Sequence, residues 1–436
     1  MMKRILRTII CLAVVVTGCK QATKNNHKLE TKYSIQKDTQ EWVGLMIEGY
    51  RNFNTDRSTK AADQIFEATE LMPIKNLENY LVSAMVYAPK GEREKAFLSI
   101  ERAIEEGFKN SDILSSISEY SSLHNDPRWD ALISKVNKKQ EEYEKTIQNP
   151  ELLEMLKYLW AQDQEVLAQY EKNVESLDST ATDGDYSRLF IPVENRWEIN
   201  KNKLDSIISI HGWPGNKLVG EEGSKVAWGI PQHHPDIFFK TKCLLLIKEA
   251  TEKGDVDPIH YAQLKDRIAR ETWQKQKYGT SMGESAPYPI EDPASVNKKR
   301  SQLGLLEPIE VYAIYHGFEY TPPSQEAIQS SHEKAQVNYK KFENFIDLKK
   351  IDSANTCIAK AISAYGDINN EQLYDASMLL AQLNNKRSQH ISLSILKVLI
   401  WRKWDKRVEI LEQDEFDRLH SQNEWEEIKR LVKMSI

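Results

Sequence analysis

At 436 residues the chain is too long for one ordinary core, and 40% hydrophobic with 28% charged residues is the composition of a folded, water-exposed protein of two or three domains. A net charge of −6, with no Lys/Arg cluster interleaved with aromatics, excludes a surface that tracks nucleic acid. Only 17 Gly and 15 Pro interrupt long stretches rich in Glu, Lys, Gln, Leu and Ala, so an all-α fold is expected.

The N-terminus carries Lys3, Arg4 and Arg7 ahead of a short apolar run, Ile9 to Val16. That run is well short of the ~20 residues a spanning helix needs. Val16-Thr17-Gly18-Cys19 resembles the lipobox of bacterial lipoproteins. The resemblance implies that residues 1–18 are a signal peptide and that Cys19 is lipidated, leaving residues 19–32 as a polar tether. Loss of the leader removes three positive charges and takes the net charge from −6 to −9. The partner implied first is therefore a membrane, through the N-terminal lipid. Lys20 stands where an Asp would retain a lipoprotein at an inner membrane, so the expected location is the cell envelope, at an outer membrane and facing the periplasm.

Residues 41–136, inside an N-terminal unit expected over 33–148, read as successive amphipathic helices. Ala61, Ala62, Ile65 and Ala68, then Tyr80, Ala84 and Tyr87, then Ala96, Ile100 and Ala103 recur at three- and four-residue spacing. Small residues at such positions let paired helices approach closely. The stretch resembles the tetratricopeptide repeat, and Gly107-Phe108 with Asp126-Pro127-Arg128-Trp129 resembles the element that closes such arrays. An ungapped shift of 296 residues lays 84–136 on 380–432, inside a C-terminal unit expected over 325–436. Phe97 meets Leu393, Ile100 meets Leu396 and Ile104 meets Ile400; Glu119 to His124 meets Glu415 to His420, and Trp129 meets Trp425. Lys403-Trp404 replaces Gly107-Phe108. Helical arrays usually need about three units to bury a continuous core, so each end here requires cover from elsewhere in the chain.

The central block, 149–319, is expected to hold helices over 152–177, 197–210, 237–253 and 258–274, a long irregular segment over 279–293, and a short helix to Arg300. His211-Gly212-Trp213-Pro214-Gly215 stops the second of these. The block resembles an uncharacterised bacterial helical domain family of unknown function. The resemblance is carried by Asp163-Gln164, His211-Gly212-Trp213-Pro214, Gly220, Ala227-Trp228, Gln232-His233 with Asp236, Asp266-Arg267, Tyr278-Gly279-Thr280, Asp292-Pro293, Arg300 and Gly304. Ser281 stands where that family has Gln, and His234-Pro235 shortens the stretch between His233 and Asp236.

From these residues, Asp163, His211 and His233 are the catalytic candidates. A carboxylate beside an imidazole orients it and raises its basicity, as general-base chemistry requires. Gln164, Trp213, Trp228, Gln232, Asp236, Arg267 and Tyr278 are the ligand-binding candidates. The competing view is a polar core whose members satisfy one another. His233 and His234 are adjacent and point in different directions, and metal-binding motifs are absent from the sequence, so neither metal nor cofactor is expected. Gly279 to Gly283 fits G-x-S-x-G but lacks the strand-turn-helix that makes this a nucleophile elbow. Cys243 and Cys357 lie in apolar surroundings and read as buried thiols, with a disulfide between them as the alternative that an exported compartment permits. The expected function is a lipid-anchored envelope scaffold that recognises a protein or peptide partner through helical-repeat surfaces. The alternative is an envelope enzyme of hydrolase type, or a small-molecule binder, built on Asp163, His211 and His233. Replacing Cys19→Ser is expected to abolish incorporation of radiolabelled palmitate and to release the chain from the membrane fraction; unchanged labelling would refute lipidation at Cys19.

Overall fold

Side-chain caps start many of the helices. Ser58, Asn76, Asn110, Asp126, Asn149, Ser324, Asn369 and Asn385 each accept a backbone N–H in the first turn that follows. The computed structural model describes residues 38–178, 180–283, 286–363, 368–402 and 404–433. The leader, Cys19, the tether and Lys403 lie outside them. Among the described residues there is no strand, only the isolated bridges Gln276–Ile290 and Met282–Pro287, and the fold is all-α. No helix among them is long and apolar enough to cross a membrane.

In chain order the α-helices are α1 (Asp38–Thr55), α2 (Thr59–Leu71), α3 (Leu77–Tyr87), α4 (Arg93–Glu105), α5 (Ser111–Ser116), α6 (Pro127–Glu144), α7 (Pro150–Glu175), α8 (Asp183–His211), α9 (Asn216–His233), α10 (Ile237–Glu252), α11 (Pro258–Glu271), α12 (Val296–Leu303), α13 (Ile309–Tyr315), α14 (Gln325–Asp347), α15 (Ile351–Ser363), α16 (Asn370–Ala381), α17 (Lys386–Trp401) and α18 (Asn423–Lys433). Short 3₁₀ segments, Ser118–Leu123 and Asp414–Leu419 among them, join several of these.

The chain divides into two units. The first takes the described residues up to 234 together with 245–261 and 300–320; the second takes 235–244, 262–299 and 321 onward. The block 149–319 therefore contributes to both. In the first unit α1 to α4 pack as consecutive antiparallel neighbours, and α7, α8 and α9 pack on one another. Its cover comes from α13. Val311 and Ile314 complete an apolar cluster with Trp42, Met46, Ile65 and Met72 of the first hairpin. In the second unit α14 pairs with α15, and α16 with α17, which also contacts α15 and α18. Cys243 and Cys357 are buried there as thiols, without a disulfide.

The 296-residue correspondence holds in three dimensions. Ser118–Leu123 and Asp414–Leu419 are both 3₁₀ turns, and α6 and α18 begin at 127 and 423. Phe108 N–H donates to the Ala103 carbonyl at 2.9 Å, and Trp404 N–H to the Leu399 carbonyl at 3.2 Å. His124 lies 4.5 Å from the Trp129 ring and His420 4.6 Å from Trp425, while Tyr120 and Phe416 stand 6.3 and 6.2 Å from the same indoles. Each copy thus ends on a buried tryptophan clamped by an imidazole and a second aromatic ring.

α9 is broken once. Gly220 takes φ 71° and ψ 172°, so the helix restarts at Glu221, whose N–H is capped by the Tyr143 hydroxyl at 2.7 Å. A side chain at 220 would meet Ile147 and Tyr143 at 3.0 to 3.4 Å. Truncating the second clamp, Trp425→Ala, is expected to cost about 3–5 kcal/mol of unfolding free energy. Urea denaturation checks this; a loss under ~1 kcal/mol would show that the clamp closes nothing.

Candidate functional site

The buried face of α7 carries Leu152, Leu156, Leu159 and Asp163 at spacings of four and three. A carboxylate thus occupies a place that the pattern assigns to an apolar side chain. Asp163 is 2% exposed and is held by three donors. Asn200 Nδ2, from α8, reaches Oδ1 at 3.1 Å; Gln164 Nε2 reaches Oδ2 at 3.2 Å; His233 Nδ1, from the last turn of α9, reaches Oδ2 at 2.8 Å. A carboxylate only accepts, so Nδ1 carries the proton and the Nε2 lone pair is left available. Nε2 has no hydrogen-bond partner among the described residues, and the side chain of His233 is 27% exposed.

Two indoles set the plane of this imidazole. The Trp160 ring stacks on it at 5.3 Å and 28°, and Trp197 stands at 6.1 Å. Trp160 can come this close because position 229 is glycine: a Cβ there would lie 2.7 Å from the indole. Beside Trp160 runs an open groove of about 390 Å³, lined also by Glu154, Lys157, Tyr158, Ala161, Glu222 and Val226. On α8, the Arg196 Nε, the Trp197 Nε1 and the Asn200 Oδ1 are buried without a partner in the structure. Three such groups on two turns beside one carboxylate–imidazole pair are costly unless water or a ligand meets them. Next along, His234 Nε2 stands 3.1 Å from Glu198. Burial works against ionisation of Glu198, but Lys201 and His234 hold its carboxyl below the usual range.

Other sequence candidates sit elsewhere. His211 is exposed at the end of α8; 11 residues beyond Asn200, it is about 16 Å further along the helix. It does not join Asp163 and His233. Its neighbour Gly212, at φ 73°, ends the helix, and Trp213 is buried with its Nε1 unpartnered. Gln232 is part-buried beside His233. Trp228 stacks on His260 at 4.6 Å and 14°, and its Nε1 donates to the His260 carbonyl at 3.0 Å. Asp236, Arg267 and Tyr278 belong to the second unit. Asp236 caps α10 by accepting Phe239 N–H at 3.0 Å, Arg267 pairs with Glu271 at 2.8 Å, and Tyr278 is buried. The Gly279–Gly283 loop is organised by Asp266, whose carboxylate accepts the N–H groups of Lys277, Tyr278 and Thr280 and the Thr280 hydroxyl. No group of three or more His, Cys, Asp or Glu among the described residues is arranged to hold a metal ion.

Residues 163–320 match a family of unknown function, DUF6624. The match begins at Asp163 itself and takes in Asn200 and His233. No curated protein and no solved structure matches the chain. Pattern alone missed a second polar cluster in the first unit, which draws on both the N-terminal hairpins and the DUF6624 segment. Glu78, in the first turn of α3, lies within electrostatic reach of Glu307, Lys225 and Asp257. Asn76 Nδ2 and the Tyr315 hydroxyl both donate to Glu307 Oε1, at 2.9 and 3.0 Å, and Tyr315 is linked through Asn79 to Tyr50. Burial, and then Glu307, push Glu78 up to about 8, while burial brings Lys225 down to about 8 and lifts Asp257 to about 6. Nothing in the chain announces this: Glu78 has the look of an ordinary acid in a first helical turn.

A carboxyl raised on folding stabilises the fold fully below its unfolded pKa, and that contribution is lost as pH rises through the folded one. For Glu78 the window runs from 4.5 to about 8. Lys225, lowered from 10.5, acts in the opposite sense but only above about 8. Between pH 5 and 8 the wild-type protein is therefore expected to lose on the order of 2 kcal/mol more stability than Glu78→Gln. Urea midpoints at the two pH values check it; parallel losses would show that Glu78 carries no buried proton.

Proposed function

We propose that this chain is a lipid-anchored protein of the cell envelope whose DUF6624 segment binds a small polar ligand at His233 and transfers a proton to or from it. The observation that supports this best is the 2.8 Å bond from His233 Nδ1 to a buried Asp163, with Nε2 left open beside two indoles. Asp163 fixes the tautomer and ring orientation. Nε2 then serves as general base towards a water or hydroxyl, which is hydrolase-type chemistry. The unpartnered Arg196 Nε, Trp197 Nε1 and Asn200 Oδ1 leave two donors and an acceptor unspent in the buried surroundings of the pair. The lipid anchor rests on Val16-Thr17-Gly18-Cys19.

The duplicated aromatic clamp favours a second reading, in which tetratricopeptide-like units at both ends recognise a protein or peptide partner and the whole acts as a scaffold. The two readings separate on the imidazole. With p-nitrophenyl acetate as a generic probe, His233→Ala and Asp163→Asn are each expected to lower the hydrolysis rate of the folded protein by about a hundredfold or more, with unchanged circular dichroism. Rates equal to wild type in both variants would make the pair a structural hydrogen bond and leave the scaffold.

A further inference from the structure

The second unit contains a concentration of positive charge that its described residues do not neutralise. Lys240, on α10, is 1% exposed and pairs with Glu271 of α11. Arg267 Nε reaches the other oxygen of the same carboxylate at 2.8 Å, and Arg270 Nη2 stands 3.6 Å from that oxygen. Three cations thus share one carboxylate, which leaves two positive charges in excess. Among the described residues Glu271 is the carboxylate that acts on both Lys240 and Arg267, and the charge of Arg270 opposes both. Burying charge without a counter-charge is expensive.

The geometry is also open to a ligand. Arg267 uses only its Nε among the described residues, which leaves both Nη groups of its fork. Arg270 makes no hydrogen bond with the described residues and lies over the Tyr288 ring, 5.3 Å from its centre. The two arginine side chains are 33% and 25% exposed, whereas that of Lys240 is 1% exposed. Both guanidinium groups approach one oxygen atom, so the excess charge is compact. A dicarboxylate spreads its two charges over several bonds; a phosphoryl group places both on one centre and matches the planar forks with paired oxygens.

We propose that Arg267 and Arg270, backed by the buried Lys240–Glu271 pair, form a binding site for a phosphoryl dianion such as the head of a phosphate monoester. The site lies outside the Asp163–His233 pair, and its occupancy does not depend on that chemistry.

The test is a titration of the folded chain with inorganic phosphate at neutral pH, against sodium chloride of equal ionic strength, read by calorimetry and by melting temperature. The wild type and His233→Ala are expected to bind phosphate alike. Arg267→Gln is expected to weaken binding about tenfold or more, because a charged fork is lost. Should Arg267→Gln fail to fold, Arg270→Gln carries the test, since its contact with Glu271 is the longer one. A parallel arm uses vesicles of phosphatidic acid against phosphatidylcholine. Arginine-dependent binding of free phosphate assigns a soluble phosphoester, and arginine-dependent binding of the acidic vesicles alone assigns a lipid headgroup. Equal responses to phosphate and chloride with no vesicle preference, or variants that bind like wild type, overturn the proposal.

Discussion

Helical hairpins stacked in a row always leave one apolar face uncovered at each end, and the first unit is organised around closing it. Two hairpins, α1 with α2 and α3 with α4, fall short of the number of repeats that buries a continuous core. Their open face is met by α13, a helix that arrives more than two hundred residues later and inserts Val311 and Ile314 among Trp42, Met46 and Ile65. That long-range closure brings Glu307 and Tyr315, which flank the inserted residues, against Asn76 and Asn79. The polar cluster around Glu78 is thus a by-product of how the apolar face is covered. Acids on two remote segments are pressed together because the neighbouring Trp42, Met46, Ile65, Val311 and Ile314 must be.

The two polar centres of the first unit are built on opposite principles. At Asp163 the carboxylate is the buried partner and the imidazole the accessible one, so a charge-capable group is held rigid from behind while its working nitrogen stays open. Around Glu78, part-buried acids and a lysine lie close together, and burial and neighbouring charge shift their proton affinities rather than present a reactive atom. The first arrangement suits chemistry on something that arrives from outside. The second suits holding the fold in one protonation state.

Much of the architecture was legible in the chain. Amphipathic spacing and sparse Gly and Pro gave the all-α class, and the 296-residue shift located matching turns, carbonyl contacts and tryptophan clamps to the residue. The site was legible in part. Asp163 and His233 are 70 positions apart, and their pairing came from residue type and family resemblance, not from any local pattern. His211 looked equally apt, but α8 continues past Asn200 for three further turns and carries it away; helix length, which is hard to judge from one sequence, decided the matter. Asp236 resembled a ligand-binding residue because a helix-capping carboxylate and a ligand-binding one look alike in one dimension. The aromatic walls at Trp160 and Trp197 gave no local signal, since indoles at helical spacing ordinarily fill cores.

The break at Gly220 turns the second half of α9 into a lever. The segment restarts at Glu221 against the Tyr143 hydroxyl and runs to His233, 12 residues and about 18 Å away. Tilting such a rod by about five degrees at its pivot swings the far end by roughly 1.5 Å, more than the tolerance of a hydrogen bond. The pivot rests on α6 and the residues just beyond it, whereas the tip rests on α7. A small displacement of α6 at one end would therefore be magnified at the histidine–carboxylate contact at the other.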